Sequence, residues 1–167
     1  ALYFALRYPQ RCRRLILESA SPGLNYPAER AARLQHDLTL ARRLEPERLD
    51  YFLLDWYRQP LFASLARFQD KIQRLIERRS QSDPVQLSRA LRAFSTGAQE
   101  PVWTNLRDAP PSLLIVGSED AKFRDIAVRM QAPMPSAVVK VVDGAGHNVH
   151  FEKPDRFVVS FLRRGER

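Results

Sequence analysis

Ser112-Leu113-Leu114-Ile115-Val116-Gly117 is a continuous apolar run closed by a turn residue, and Ala137-Val138-Val139-Lys140-Val141-Val142-Asp143-Gly144 follows the same grammar downstream. Short aliphatic and β-branched runs bounded by Pro, Gly or Asp belong to strands, and an unbroken run belongs to a strand covered on both faces. A helical stretch from Phe123 to Met130 separates the two, and a final helix is expected from about Pro154 to Leu162. Upstream, Leu15-Ile16-Leu17 lies between the basic residues Arg11, Arg13 and Arg14 and the breaker cluster Ser19-Ala20-Ser21-Pro22-Gly23, which reads as another buried strand. Strands alternating with helices predict an α/β fold: three parallel strands, right-handed crossovers and helices on both sides of the sheet.

Between the first and second strands the pattern changes. From Pro27 to about Ala98 apolar residues recur three and four apart, as in Leu34, Leu38 and Leu49, Phe52, Leu53, Trp56, with long Arg and Gln side chains between them. Roughly four or five short helices are expected there. Breaks fall near Pro46, at Gln59-Pro60 and at Ser82-Asp83-Pro84, where Asp83 can cap a helix that has Pro84 at its first position. Such an insert is too long for an ordinary connection and is expected to be a lid. The implied organisation is a core helix and strand over 1–24, a helical cap over 25–100, and carboxyl-terminal core strands and helices over 101–167 that carry an Asp and a His. The opening segment Ala1 to Tyr8 is apolar almost throughout and stops at Tyr8-Pro9, so it reads as a buried core helix.

Composition narrows the function class. The chain has 167 residues, 44% apolar and 28% charged, with 6 glycines against 12 prolines, which suits one packed core and excludes a disordered or fibrous chain. No apolar run approaches the roughly 18 residues needed to span a bilayer, so no membrane insertion is expected. Lys and Arg number 27 against 19 acidic residues, a net charge of +8 that favours anionic partners. Cys12 is the single cysteine, which excludes an internal disulfide and any multi-cysteine metal site and suits a cytoplasmic location. The first methionine is Met130, and the chain is expected to be part of a longer polypeptide whose missing piece lies upstream.

In open α/β sheets the working residues sit in loops beyond the carboxyl ends of strands. Here Glu119-Asp120 follows one such strand and Gly144-Ala145-Gly146-His147 follows the next. An acid and then a histidine is the order found when a nucleophilic serine precedes both. No G-x-S-x-G occurs, and Ser19, Ser21 and Ser118 lack the flanking glycines that a strained elbow requires. His36 and His150 suggest no chemistry of their own. Cys12, although it sits among arginines, is expected to be inert.

These residues resemble the last part of the α/β-hydrolase fold. Leu17-Glu18-Ser19-Ala20-Ser21-Pro22-Gly23-Leu24, the string from Asp55-Trp56-Tyr57-Arg58-Gln59-Pro60-Leu61-Phe62 to Leu65, Ser95-Thr96-Gly97-Ala98-Gln99, Asp120-Ala121-Lys122-Phe123 and Gly144-Ala145-Gly146-His147-Asn148 are similar to one branch of that superfamily. That branch is the family of menaquinone-pathway lyases, the 2-succinyl-6-hydroxy-2,4-cyclohexadiene-1-carboxylate synthases. The resemblance implies a cofactor-free and metal-free elimination of pyruvate from a small polycarboxylate substrate. It implies that His147 holds the proton of a serine outside this chain and that Asp120, rather than Glu119, orients the imidazole. It further implies substrate contacts by Arg33 in Ala31-Ala32-Arg33-Leu34-Gln35, by Arg79 in Glu77-Arg78-Arg79-Ser80, by Trp56 and Tyr57, and by Lys122, with arginine suited to carboxylates through its planar fork.

Two other readings stand beside this one. A generic α/β-hydrolase, an esterase or carbon–carbon bond hydrolase, would use the same Asp120 and His147 but has no use for two arginines around a neutral ester. A basic nucleic-acid-binding helical module would exploit the arginine-rich stretch from Arg67 to Arg92, but Asp70, Glu77 and Asp83 interrupt it, and no nucleic acid is expected as partner. Three parallel strands without a further neighbour leave an open edge. That edge is expected to be covered by the missing amino-terminal half or by a self-associated chain, with the isolated chain inactive.

Overall fold

A computed structural model describes residues 1–44 and 48–162, with the side chains of 161 and 162 left aside. The break expected near Pro46 lies outside the described residues. The chain divides into two compact units, Ala1–Pro22 with Val102–Arg167, and Gly23–Pro101.

The first unit is built on a parallel sheet of β1 (Leu15–Glu18), β2 (Ser112–Gly117) and β3 (Ala137–Val142), in that spatial order. Leu15 pairs with Ser112 and Ser112 with Ala137, so the strands start level. Every residue of the central strand β2 is buried, as its unbroken apolar run requires. Leu114 and Val116 face a cluster with Leu2 and Ala5 of α1 (Leu2–Arg7) and Ala127 and Met130 of α6 (Ala121–Gln131). Leu113 and Ile115 face the other way, onto Ala145, Val149 of α7 (Val149–Glu152) and Phe157 of α8 (Pro154–Leu162). Each such fully buried aliphatic side chain contributes about 1.5–3 kcal/mol relative to exposure, which makes β2 the anchor of the unit. The expected α/β architecture, three parallel strands with helices on both faces, is therefore what the chain forms. The opening helix differs from expectation: only Leu2 and Ala5 are buried, whereas Tyr3, Phe4 and Tyr8 are exposed, because a helix laid on one sheet face buries one stripe.

The second unit consists of α2 (Pro27–Arg42), α3 (Leu49–Tyr57), a 3-10 segment (Pro60–Phe68), α4 (Gln69–Arg79) and α5 (Pro84–Ala93). Pro60 and Pro84 open their elements, where the missing N–H costs nothing. The Asp83 carboxylate caps α5 by accepting from the N–H of Val85 at 2.8 Å and of Gln86 at 3.4 Å. Helices α2 and α5 are tied side by side by the Ser88 hydroxyl, which donates to the Ala41 carbonyl at 2.8 Å. No helix among the described residues is long and apolar enough to cross a membrane.

Candidate active site

Beyond the ends of β2 and β3, two loops are zipped together by main chain. The N–H of Ser118 donates to Val142, that of Glu119 to Ala145, and that of Gly144 to the Ser118 hydroxyl, all at 2.9 Å. Gly117 permits this approach: a Cβ built there would lie 2.2 Å from the carbonyl oxygens of both Ala145 and Gly146. The glycine therefore allows the loop that follows β3 to cross directly over the end of β2.

This crossing brings Asp120 to His147. Their Oδ2 and Nδ1 atoms are 2.7 Å apart, and the carboxylate side chain is only 6% exposed. In the tautomer whose Nδ1–H donates to this carboxylate, Nε2 is the acceptor nitrogen of the ring. The second carboxylate oxygen, Oδ1, accepts from the N–H of Phe123 at 3.2 Å, so Asp120 also caps α6. Both of its oxygens are committed, which fixes its rotamer. The Phe123 ring lies 4.6 Å from the imidazole, and Lys122, exposed on the first turn of α6, lies over the Phe123 ring. Glu119 is exposed, and its N–H serves the loop crossing instead.

The loop bearing His147 has supports that sequence reasoning missed. Glu152 is buried and accepts from the Gly146 N–H at 3.0 Å. Ser19, directly after β1, donates its hydroxyl to the His147 carbonyl at 2.9 Å while its backbone takes φ of 40°. That left-handed turn costs a non-glycine residue about 1 kcal/mol, which the hydrogen bond offsets. Glu18 accepts from the N–H of His150 at 2.9 Å and pairs with its Nδ1 at 2.8 Å. His150 is therefore engaged with the end of β1, where sequence reasoning gave it no task. The breaker cluster after β1 was visible in the sequence, but its hydrogen-bonding partners lie more than a hundred residues away and carry no local signal.

The helical unit contains its own cavity of about 390 Å³, lined among others by Arg33, Asp37, Trp56, Arg79, Phe94 and Ser95. Arg33 donates through Nε to both carboxylate oxygens of Asp37, at 2.8 and 2.9 Å. Arg79 donates to the Tyr57 hydroxyl and lies over the same ring. The neighbouring Arg78 does not line the cavity. Trp56 lines it, stacked on Phe52 with centroids 6.0 Å apart. Tyr57 does not: it is buried, packs on Phe62 and reaches the cavity only through Arg79. Adjacent residues on a helix point about 100° apart, so one wall cannot use both aromatics. Burial pushes the Tyr57 phenol above its ordinary pKa, against the opposing pull of the Arg79 guanidinium, so the group stays neutral.

A carboxylate oriented on an imidazole at the carboxyl ends of neighbouring parallel strands defines an acid–base pair of the kind α/β-hydrolases use. The family comparison agrees: the model of the alpha/beta hydrolase family matches residues 1–160, and the chain belongs to that family. Among curated relatives, a putative 2-succinyl-6-hydroxy-2,4-cyclohexadiene-1-carboxylate synthase of Bacillus subtilis is 35% identical over 159 residues, 94% of this chain and 58% of its own length. The enzyme of that name from Klebsiella pneumoniae is 36% identical over 156 residues, 92% of this chain and 59% of its own. The chain thus spans somewhat more than half the length of these relatives. Among solved structures, MenH from S. aureus superposes with a TM-score of 0.89 at 31% identity, over 100% of this chain and 65% of that one. A thermophilic esterase from Thermogutta terrifontis, at 21% identity and a TM-score of 0.74 over 98% of this chain and 60% of that one, shares the fold.

Proposed function

We propose that this chain carries the acid–base and substrate-recognition parts of a carbon–oxygen lyase that eliminates pyruvate from an enolpyruvyl cyclohexene polycarboxylate, a reading supported by its similarity to relatives named 2-succinyl-6-hydroxy-2,4-cyclohexadiene-1-carboxylate synthase. The observation that carries this reading is the presence of two arginines on one apolar-walled cavity in a chain that also has the Asp120–His147 pair. A neutral ester needs no cation, whereas a polycarboxylate needs a fixed fork for each carboxylate. His147 Nε2 holds the proton of a serine supplied from outside these residues, which contain no G-x-S-x-G. The activated oxygen takes a ring proton, the electrons form a new double bond, and the carbon–oxygen bond to the enolpyruvyl group breaks. His147 returns the proton to the departing group, which leaves as pyruvate, and Asp120 stabilises the imidazolium meanwhile. Arg33, Arg79, Trp56 and Lys122 are the proposed substrate contacts, with Tyr57 acting through Arg79. An upstream segment bearing the serine, or a second copy of the chain, would cover β1, where Ile16 is exposed.

The test joins this chain to the amino-terminal segment of the Bacillus subtilis relative and measures pyruvate release. The fusion is expected to release pyruvate, with His147→Ala lowering the rate about 10² to 10⁴-fold. Arg33→Ala and Arg79→Ala should each raise KM at least about tenfold through loss of a charge-assisted pair. Absence of pyruvate release from the fusion would remove the lyase reading and favour a hydrolase of the same family, and full activity in both arginine variants would remove Arg33 and Arg79 from the substrate contacts.

A further inference from the structure

We propose that Asp37, backed by Ser95 and Gly97, is a positioning residue that presents the outer amino groups of Arg33 to a carboxylate ligand, which rests on the assignment of Arg33 as a substrate contact. Asp37 is 3% exposed, a costly place for a carboxylate unless its lone pairs are filled. They are filled here: Arg33 Nε donates to both oxygens, and the Ser95 hydroxyl donates to Oδ2 at 2.7 Å. Ser95 is itself buried, and its oxygen accepts the Gly97 N–H at 3.1 Å, so the hydroxyl proton has one direction to go, toward Asp37. The donors run in one line from Gly97 through Ser95 to Asp37, which receives Arg33 from its other side.

Gly97 makes the line possible. A Cβ there would lie 2.4 Å from the Arg30 carbonyl oxygen and from the Leu34 nitrogen, so the turn is seated on the backbone of α2 on both sides of Arg33 in sequence. Helix stabilisation does not account for the pair. An acid four residues after a base is the less favourable order against the helix dipole, and such pairs on a helix contribute only about 0.2–0.5 kcal/mol.

The contact uses Nε, at the base of the fork. The two terminal amino groups of Arg33 make no hydrogen bond or ion pair among the described residues, and Arg33 lines the cavity. An arginine held in this way has already lost rotamer freedom that a ligand would otherwise have to remove. Asp37 also neutralises it, so Arg33 offers direction with little net charge. Arg79, held by the neutral Tyr57 phenol, keeps its charge for the same cavity.

The experiment uses the 167-residue chain, succinate as the probe, and proton NMR of the arginine Nε–H groups, with the Arg33 signal assigned by its loss in Arg33→Lys. In the unsubstituted chain that signal should be shifted downfield and protected from exchange, and succinate should bind. Ser95→Ala, which leaves the charge unchanged, should speed the exchange and weaken succinate about fivefold, the loss of one buried hydrogen bond. Asp37→Asn should abolish the downfield shift and weaken succinate about tenfold or more. Charge alone gives the opposite sign, since removing an anion beside Arg33 would tighten an anionic ligand. Ser88→Ala, which removes the hydrogen bond that ties α5 to α2, should change neither readout. Tighter binding in Asp37→Asn, or an unchanged Arg33 signal in both Ser95→Ala and Asp37→Asn, overturns the proposal. Absence of succinate binding to the unsubstituted chain overturns it as well, leaving a structural ion pair. Succinate binding with the expected variant effects, but no pyruvate release from the fusion protein, supports the positioning role and sinks the lyase reading alone.

Discussion

The sheet unit and the helical unit each hold a buried aspartate against a basic side chain at under 3 Å, Asp120 on His147 and Asp37 on Arg33, but the means differ. In the sheet unit the partners come from the ends of adjacent strands, and main-chain hydrogen bonds between two loops set their distance. In the helical unit the partners sit one turn apart on α2, and the restraint arrives through a side chain, Ser95, from beyond the end of α5. One pair is placed by topology and the other by a relay. A glycine sits beneath each: Gly117 lets one backbone cross another, and Gly97 seats a turn on a helix. Neither requirement comes from an unusual φ, for the positive-φ glycines are Gly23 and Gly144.

Adding a methyl group at each glycine separates these two modes. Gly117→Ala should be the more damaging, because both clashing oxygens belong to the backbone of a buried loop packed in the core. Overpacking of a core costs about 1–3 kcal/mol, and this site has no flexible side chain to yield, so about 3 kcal/mol is expected from chemical denaturation. A His147 Nδ1 proton hydrogen-bonded to Asp120 is expected downfield in the NMR spectrum of the unsubstituted chain and should disappear in this variant. If stability stayed within a few tenths of a kcal/mol and the proton signal remained, placement by the loop crossing would be wrong.

Gly97→Ala should cost less, about 1–2 kcal/mol, because the 95–97 turn can lift from α2 at the expense of the Ser95–Asp37 bond rather than of the helix. The signature is local: the Arg33 Nε–H signal should lose its protection while the Asp120–His147 proton stays unchanged. Loss of both signals would show that the two units do not respond independently.

The same contrast explains how much the sequence made legible. The apolar run at 112–117 states its strand outright, because burial on both faces leaves few residue types to choose from, and the β-branched run at 137–142 marks a strand although Val138 and Val141 stay exposed. Once those strands are parallel neighbours, Asp120 and His147 follow from strand order alone, since the carboxyl ends of adjacent strands lie side by side. The helical unit offers no such rule. Arg33 and Arg79 stand among 27 basic residues and were singled out by resemblance. Asp37 could have been noticed as the carboxylate one turn beyond Arg33, but its burial depends on Ser95, a tertiary contact that periodicity does not encode. Resemblance also groups Tyr57 with Trp56, although adjacency on a helix sends side chains to different surroundings.

The remaining prediction concerns Tyr57, where the helical unit relies on burial rather than on a carboxylate. Its folded pKa lies above the ordinary tyrosine value of about 10 because burial disfavours the phenolate. A group whose pKa is raised on folding contributes stability that is fully present below the unfolded value and is lost as pH rises through the folded one. Stability should therefore show no contribution from Tyr57 to its pH dependence below about pH 10 and should fall above it, as the unfolded chain releases the proton first. In absorbance titrations the phenolate of Tyr57 should form above the ordinary tyrosine range, and Tyr57→Phe should remove that step and the associated alkaline slope. The effect is the smallest of those considered because the Arg79 guanidinium pulls the pKa back toward its ordinary value. For the same reason Arg79→Met should move the Tyr57 step to still higher pH. A downward move would contradict the opposing pull of the guanidinium and would mean that the Arg79 side chain supplies the burial that raises this phenol.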